Sequence, residues 1–199
     1  TVLDGTIFGD ALEDAFEDFE ETGVLVPLEN AVDRTFYEKL LEDLPSSEAI
    51  DLYREFLEAE IDFRNARNAL RLARSGADID PAAYFIEGGT LFKAAELNTL
   101  VENPEALVDR IRDSTYGREL SGPLDELESA DSLIAFEHAL ESVLLRYSRR
   151  LGNVYPLSIC PVVAYILMKE REVENIRAIA RGREAGLSET EIEQELVIL

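Results

Sequence analysis

Arg64, Arg67, Arg71 and Arg74 fall at i, i+3, i+7 and i+10, a spacing that lines guanidinium groups along one side of a helix. Such groups are always charged and pair with carboxylates through parallel hydrogen bonds, so the chemistry implied is recognition of an acidic surface. Arg177 and Arg181 repeat the spacing of Arg67 and Arg71, while Arg146, Arg149 and Arg150 lie close by in the preceding helical stretch. The background makes them conspicuous: 42 acidic residues against 19 basic ones give a net charge of −23. The candidate contact residues are therefore Arg64, Arg67, Arg71, Arg177 and Arg181. The competing reading is structural. Glu60 falls between Phe56 and Phe63, and Glu170 between Ile166 and Val173, so each carboxylate sits inside an apolar stripe. Partial burial of both is expected, with an arginine from an adjacent helix or unit as partner, because a buried charge is costly unless paired.

Bond-making chemistry has little to draw on. His138 is the lone histidine, which leaves a triad with Cys160 or a multi-histidine metal site unsupported. A di-iron helical bundle requires two Glu-x-x-His pairs, and Ala135 stands three residues before His138. No G-x-x-x-x-G-K-[ST] loop is present to cradle phosphates. Asp10, Glu13 and Asp14 would bind divalent cations only non-specifically. No cofactor and no catalytic residue are expected.

The polar residues on these helices belong to a duplication. Glu60, Asp62, Asn65, Arg67 and Arg71, followed by Gly76, match Glu170, Glu172, Asn175, Arg177 and Arg181, followed by Gly186, at a constant offset of 110. Both copies read E-x-[DE]-x-x-N-x-R-x-x-x-R, with Glu60, Asn65, Glu170 and Asn175 as the repeated structural motif. Upstream, LENAVDRTFYEKLLE from Leu28 aligns with LESADSLIAFEHALE from Leu127 at an offset of 99, so about 11 residues are inserted in the second copy. The unit is a helix pair followed by a short capped helix, roughly 110 residues long.

The elements that carry the motif read as helices throughout. Phe8, Leu12, Phe16 and Phe19 draw an apolar face, with Gly23 as a stop. Leu28, Ala31, Phe36 and Leu40 face inward on the next helix. A long helix then runs from Glu48 to Ser75, carrying Ile50, Tyr53, Leu57 and Phe63. Asp80-Pro81 opens a short helix, Thr90 restarts one to about Glu102, and Asn103-Pro104-Glu105 starts another. Gly117 and Ser121-Gly122-Pro123 are read as the break between units. Leu133, Phe136, Leu140, Val143, Leu144, Tyr147 and Leu151 form the cleanest stripe. The last long helix runs from the Pro156–Pro161 region to about Gly182, and Ser188-x-x-Glu191 is a capping box. The division is therefore 1–27, the tail of a preceding and mostly missing unit; 28–122, a repeat unit; and 123–199, a second one.

The closing segment YILMKEREVENIRAIARGREAGLSETEIEQELV resembles the C-terminal part of the C subunits of archaeal A-type ATP synthases, related to the d subunits of vacuolar ATPases. The Glu-Val-x-Asn-x-Arg core and the Gly-x-Ser-x-x-x-Ile ending carry the likeness, which extends over the chain through the repeat. The resemblance implies a non-catalytic central-stalk subunit whose three pseudo-equivalent helical domains form a socket between the rotating shaft and the membrane rotor ring. Here the first domain would be mostly absent. It implies as partners the shaft subunits and the ring, and as location the cytoplasmic face of the membrane, held peripherally through the ring.

Composition fits a folded chain, with 46% hydrophobic and 31% charged residues. The acidity disfavours nucleic acid and anionic lipid as direct partners. Three lysines against 16 arginines, with this much acid, suit a salt-rich cytoplasm in which charge repulsion is screened over about 3 Å at 1 M salt. Cys160 is the only cysteine and is expected to be buried and inert, which fits a reducing compartment. The run Pro156–Met168 is too short to span a bilayer and is expected to form a buried helix. The fold class is thus all-α, with repeated helical units about a pseudo-symmetry axis forming a socket or funnel. The function expected is coupling of shaft to ring in proton- or sodium-driven ATP synthesis. The alternatives are a free-standing acidic helical adaptor for a basic protein and a helical-bundle enzyme holding a carboxylate-bound metal.

Overall fold

The structure, a computed structural model, describes residues 5–23, 26–75, 80–129 and 134–198, and these are helical with no strand among them. Gly76 of the repeat motif and Leu133 of the apolar stripe lie outside the described residues. The helices are α1 Gly9–Thr22, α2 Val26–Asp43, α3 Glu48–Ser75, α4 Ala94–Glu102, α5 Pro104–Arg112, α6 Gly117–Ser129, α7 Ile134–Val154, α8 Cys160–Glu184 and α9 Glu189–Gln194, with a 3-10 turn at Pro81–Tyr84. The chain divides into two compact units: Thr1–Ser47 with Leu57–Ser114, and Glu48–Phe56 with Thr115–Leu199.

In the first unit α1 ends as its sequence predicts. Gly23 takes a φ of +70°, and its amide closes on the Phe19 carbonyl at 2.8 Å. The inward faces of α1 and α2 differ from the apolar reading. Ala15 is the buried residue of α1 while Phe16 stays half exposed beside Phe19. On α2 the buried positions are Asn30 and Tyr37, whereas Phe36 is exposed. The reason is polar: Tyr37 buries its ring and delivers its hydroxyl to side chains of α3. The core of the unit is α3 itself, through Ile61, Phe63, Ala66, Ala69 and Leu70, covered by Phe85, Ile86, Leu91, Phe92 and Leu97. Each large apolar side chain so buried contributes about 1.5–3 kcal/mol. The α4 helix begins at Ala94, not at Thr90, because the Thr90 amide and hydroxyl are taken by Asp62. Asn103 caps α5 by accepting from the Ala106 amide at 3.2 Å, with Pro104 at the first helical position.

In the second unit α6 begins at Gly117 and runs unbroken through Ser121-Gly122-Pro123, with Pro123 inside. Leu120, Leu124 and Leu127 recur at i, i+4 and i+7 and are all buried, which holds the helix together across the hydrogen bond that proline cannot make. Of the α7 stripe, Phe136, Leu140, Val143 and Leu151 are buried, Leu144 and Tyr147 are only partly covered, and Leu145 is buried in addition. Phe56 stacks between Tyr53 and Tyr147, with ring centroids 6.5 Å apart on each side. Cys160 is free and buried, as expected. Ala164 is buried with it, but most of the apolar run around them is not. Leu157, Val162, Tyr165 and Ile166 are exposed, so α8 begins as a surface helix with an apolar outer face. The capping box at Ser188 and Glu191 forms as predicted and starts α9. Ile192 of α9 rests where Gly182 leaves room: a Cβ at Gly182 would come within 2.6 Å of it.

Candidate functional site

The duplicated polar residues project from α3 and α8, and their fates divide by position. Asn65 is buried and grips the backbone of one residue, donating from Nδ2 to the Ile86 carbonyl at 2.8 Å and accepting at Oδ1 from the Ile86 amide at 2.9 Å. Asn175 does the same to Val197, with 2.9 Å to its carbonyl and 3.2 Å from its amide. An asparagine is the side chain that offers one donor and one acceptor in the plane a peptide presents, which explains its identity in both copies. The two clamps hold the segment that returns after each long helix against that helix.

The carboxylates diverge. Glu60 is half-buried, as its flanking phenylalanines predict, and accepts from the Tyr37 hydroxyl at 2.6 Å. Its arginine comes from its own helix: Arg64 lies 3.8 Å from Glu60, while its Nε donates to Tyr37 at 2.7 Å and its Nη1 to Asp33 at 2.6 Å. Burial, with the Glu60 carboxylate beside it, pushes the Tyr37 phenol far above its usual range and keeps it protonated. Glu170, expected to be partly buried, is exposed. The alignment that pairs Leu28 with Leu127 places Phe136 opposite Tyr37, so α7 supplies a buried ring without a hydroxyl. Glu174 likewise stands where Arg64 stands in the first copy, and pairs with Arg171 at 2.8 Å.

Asp62 is fully buried and was not singled out by sequence reasoning. Its Oδ1 accepts from the Thr90 and Leu91 amides, each at 2.8 Å, and its Oδ2 from the Thr90 hydroxyl at 2.9 Å. Three donors satisfy a carboxylate that would otherwise be costly to bury. Its repeat partner Glu172 is exposed and pairs with Lys169. The motif marks the position as acidic in both copies but does not announce burial, since Glu172 at the same place is exposed.

Of the candidate contact residues, Arg64 is engaged with Asp33, Tyr37 and Glu60. Arg67 is half-buried, and Arg71, Arg177 and Arg181 are exposed. The arginines do not converge on an acid–base pair, and among the described residues no group of histidine, cysteine, aspartate and glutamate is placed to hold a metal. Among the same residues no helix is long and apolar enough to cross a membrane. What Asn65, Asp62 and Asn175 do physically is hold backbone in place.

The model of the ATP synthase (C/AC39) subunit family matches residues 1–195 of this chain. The chain belongs to that family. It is 68% identical over its whole length to the A-type ATP synthase C subunit of Haloferax volcanii, covering 57% of that protein. To the corresponding protein of Haloquadratum walsbyi it is 65% identical over 97% of its length, covering 56% of the relative. The likeness reaches beyond haloarchaea: the C subunit of the Methanothermobacter thermautotrophicus A-type ATP synthase is 32% identical over 98% of this chain and 52% of its own. The chain thus spans a little over half the length of these curated relatives.

Proposed function

We propose that this chain works as part of a non-catalytic central-stalk subunit of an A-type ATP synthase. It couples the rotating shaft to the membrane rotor ring, so that proton or sodium flow through the ring drives ATP synthesis in the head. The observation that carries the reading is the family match across residues 1–195, supported by relatives named as C subunits of A-type ATP synthases. The polar residues agree with mechanical work, since Asn65, Asp62 and Asn175 are spent on holding backbone. The protein sits peripherally on the cytoplasmic face, held through the ring. Arg67, Arg71, Arg177 and Arg181, with Arg64 at the inner edge, meet acidic side chains of the shaft.

The test is co-sedimentation of this chain at molar KCl with purified central shaft and with rotor rings of the same source. Binding to either, displaced by the full-length protein, is the expected result. If neither this chain nor the full-length protein bound shaft or ring, the coupling role would fall and an acidic adaptor for some other basic protein would take its place.

A further inference from the structure

The turn that joins α7 to α8 carries side chains that a solvated turn does not favour. Leu157 is fully exposed, and Val154, Tyr155 and Ile159 are 60%, 44% and 39% exposed. Behind them on α7 stand Arg146, Arg149 and Arg150, all exposed. Arg150 lies over the Tyr147 ring, 5.2 Å from its centre, while Arg146 and Arg149 pair with no carboxylate among the described residues. From Ser142 to Ile159 the chain has no acidic residue and three arginines, although 42 of its 199 residues are acidic. An exposed apolar cluster beside a local reversal of charge marks a contact surface.

The internal repeat shows that this tip is an addition. The turn at the same place in the first copy is Leu44-Pro45-Ser46-Ser47, between Asp43 and Glu48, and the cation nearest to it in sequence, Lys39, is paired with Glu42 and Asp43. The residues inserted in the second copy fall between Glu141 and the motif on α8, where the arginines and the apolar turn lie. The turn is also closed upon itself. The Tyr155 carbonyl accepts from the Ser158 amide at 3.1 Å and from its hydroxyl at 2.7 Å, and that hydroxyl accepts from the Cys160 amide at 3.1 Å. The Tyr155 amide donates to the Leu151 carbonyl at 2.9 Å. Backbone groups paired in this way leave water at less cost.

We propose that the α7–α8 turn is a lipid-contacting tip: Val154, Tyr155, Leu157 and Ile159 enter the interface of an anionic bilayer, and Arg146, Arg149 and Arg150 meet the phosphates of its headgroups. The spacing fits. At about 1.5 Å per residue, Arg149 and Arg150 stand about 6–8 Å behind Val154 and Arg146 about 12 Å, while an amphipathic segment sinks about 5–10 Å into the headgroup boundary. Arginine suits phosphate through paired hydrogen bonds, and its apolar stem can lie along the boundary while its head reaches outward. The missing acids point the same way, since a carboxylate here would face the headgroup phosphates. An apolar protein partner would cover the four tip side chains but give the arginines nothing to meet. The net charge of −23 does not oppose the contact in molar salt, because charge is screened beyond about 3 Å at 1 M. The contact adds to the hold through the ring proposed above and does not rest on it.

Flotation with lipid vesicles at molar KCl tests the proposal, with both this chain and the full-length protein. Both should rise with phosphatidylglycerol vesicles and stay behind with phosphatidylcholine ones. Tyr155→Ser with Leu157→Ser should lower the bound fraction by about tenfold or more, and Arg146→Gln with Arg149→Gln by about fivefold. Each should melt where the wild type does, since all four side chains are exposed. Arg118→Gln with Arg183→Gln removes the same charge from exposed positions elsewhere and should float as the wild type does. Absence of flotation with phosphatidylglycerol, equal flotation with both lipids, or an equal loss in the Arg118 and Arg183 variant would overturn the proposal. So would flotation of this chain but not of the full-length protein, which would show the turn covered by the rest of its own chain. Capture by detergent-purified rotor rings that is lost with Tyr155→Ser and Leu157→Ser, without any flotation, would assign the turn to a protein partner. That result would overturn the lipid contact and leave the coupling role intact.

Discussion

Asn175 brackets the backbone of Val197 with the same two hydrogen bonds that Asn65, 110 positions earlier, makes to the backbone of Ile86. One side chain thereby fixes where the chain returns across each long helix, with a donor and an acceptor aimed at a single residue. The two acidic positions of the motif make different contacts in the two copies, while this asparagine pair has kept its geometry.

Removing a clamp should cost more where it is buried. Asn65→Ala leaves the Ile86 amide and carbonyl without partners in the core, and the expected loss is about 2–3 kcal/mol. Asn65→Asp keeps the acceptor for the amide but turns a second oxygen towards the Ile86 carbonyl, so it should be no better tolerated. At the half-buried Asn175, alanine should cost about 1 kcal/mol, since water can reach the freed groups. Urea unfolding at fixed molar KCl measures all three, and equal losses at 65 and 175 would contradict the burial argument.

Tyr37→Phe mimics what Phe136 does in the other copy and should separate the hydroxyl from the ring. At pH 8 the variant loses the bonds to Glu60 and Arg64, about 1–2 kcal/mol in all. The alkaline response carries the sign. The folded phenol is raised above its unfolded value of 10.0, so its contribution is whole below pH 10 and falls away as pH rises beyond it. The wild type should therefore decline more steeply than Tyr37→Phe between pH 10 and 12, by about 1.4 kcal/mol per pH unit. Parallel alkaline limbs in unfolding curves would show that the phenol is not held protonated.

The capping box at α9 should respond to acid. Glu191 accepts from the Ser188 hydroxyl at 2.6 Å and the Ser188 amide at 2.8 Å, and these bonds hold its carboxyl below the usual range. A depressed folded value means the contribution is present above the unfolded pKa, near 4.5, and lost as pH falls through the folded one. Amide protection in α9, taken relative to the intrinsic exchange rate at each pH, should fall below pH 4 in the wild type. Glu191→Gln should exchange faster at pH 6 and show no such acid step.

Helices were legible in this sequence because caps and periodicity agree locally: Asn103-Pro104, Gly23 and Ser188 each do what their chemistry predicts. Which face of a helix turns inward was less legible. Phe36 outranks Tyr37 on any apolar scale, yet the hydroxyl of Tyr37 has a carboxylate to meet and its ring is the one buried. Pro123 reads as a break, and only the three leucines packed around it decide otherwise. Asp62 was invisible as a core residue because its partners are backbone amides about 28 residues away, which no local pattern announces. Glu170 read as partly buried because Ile166 and Val173 flank it, and the start of α8 read as buried because it is apolar and too short to span a bilayer, but Val162, Ile166 and Val173 are themselves exposed.

The arginines give the prediction closest to function. Arg177 and Arg181 are exposed on α8, so reversing both changes the surface charge without breaking an internal network such as that of Arg64. Arg177→Glu with Arg181→Glu should leave the melting temperature within about 2 °C, because exposed charges contribute little to stability. Binding to the central shaft should weaken by about tenfold at low salt, and the difference should shrink towards molar KCl as the interaction is screened. Arg67→Glu with Arg71→Glu should weaken binding as well but also lower the melting temperature, since Arg67 is half-buried. Unchanged shaft affinity for both double variants, with intact folding, would remove the arginines from the interface and leave them as part of the solvated surface.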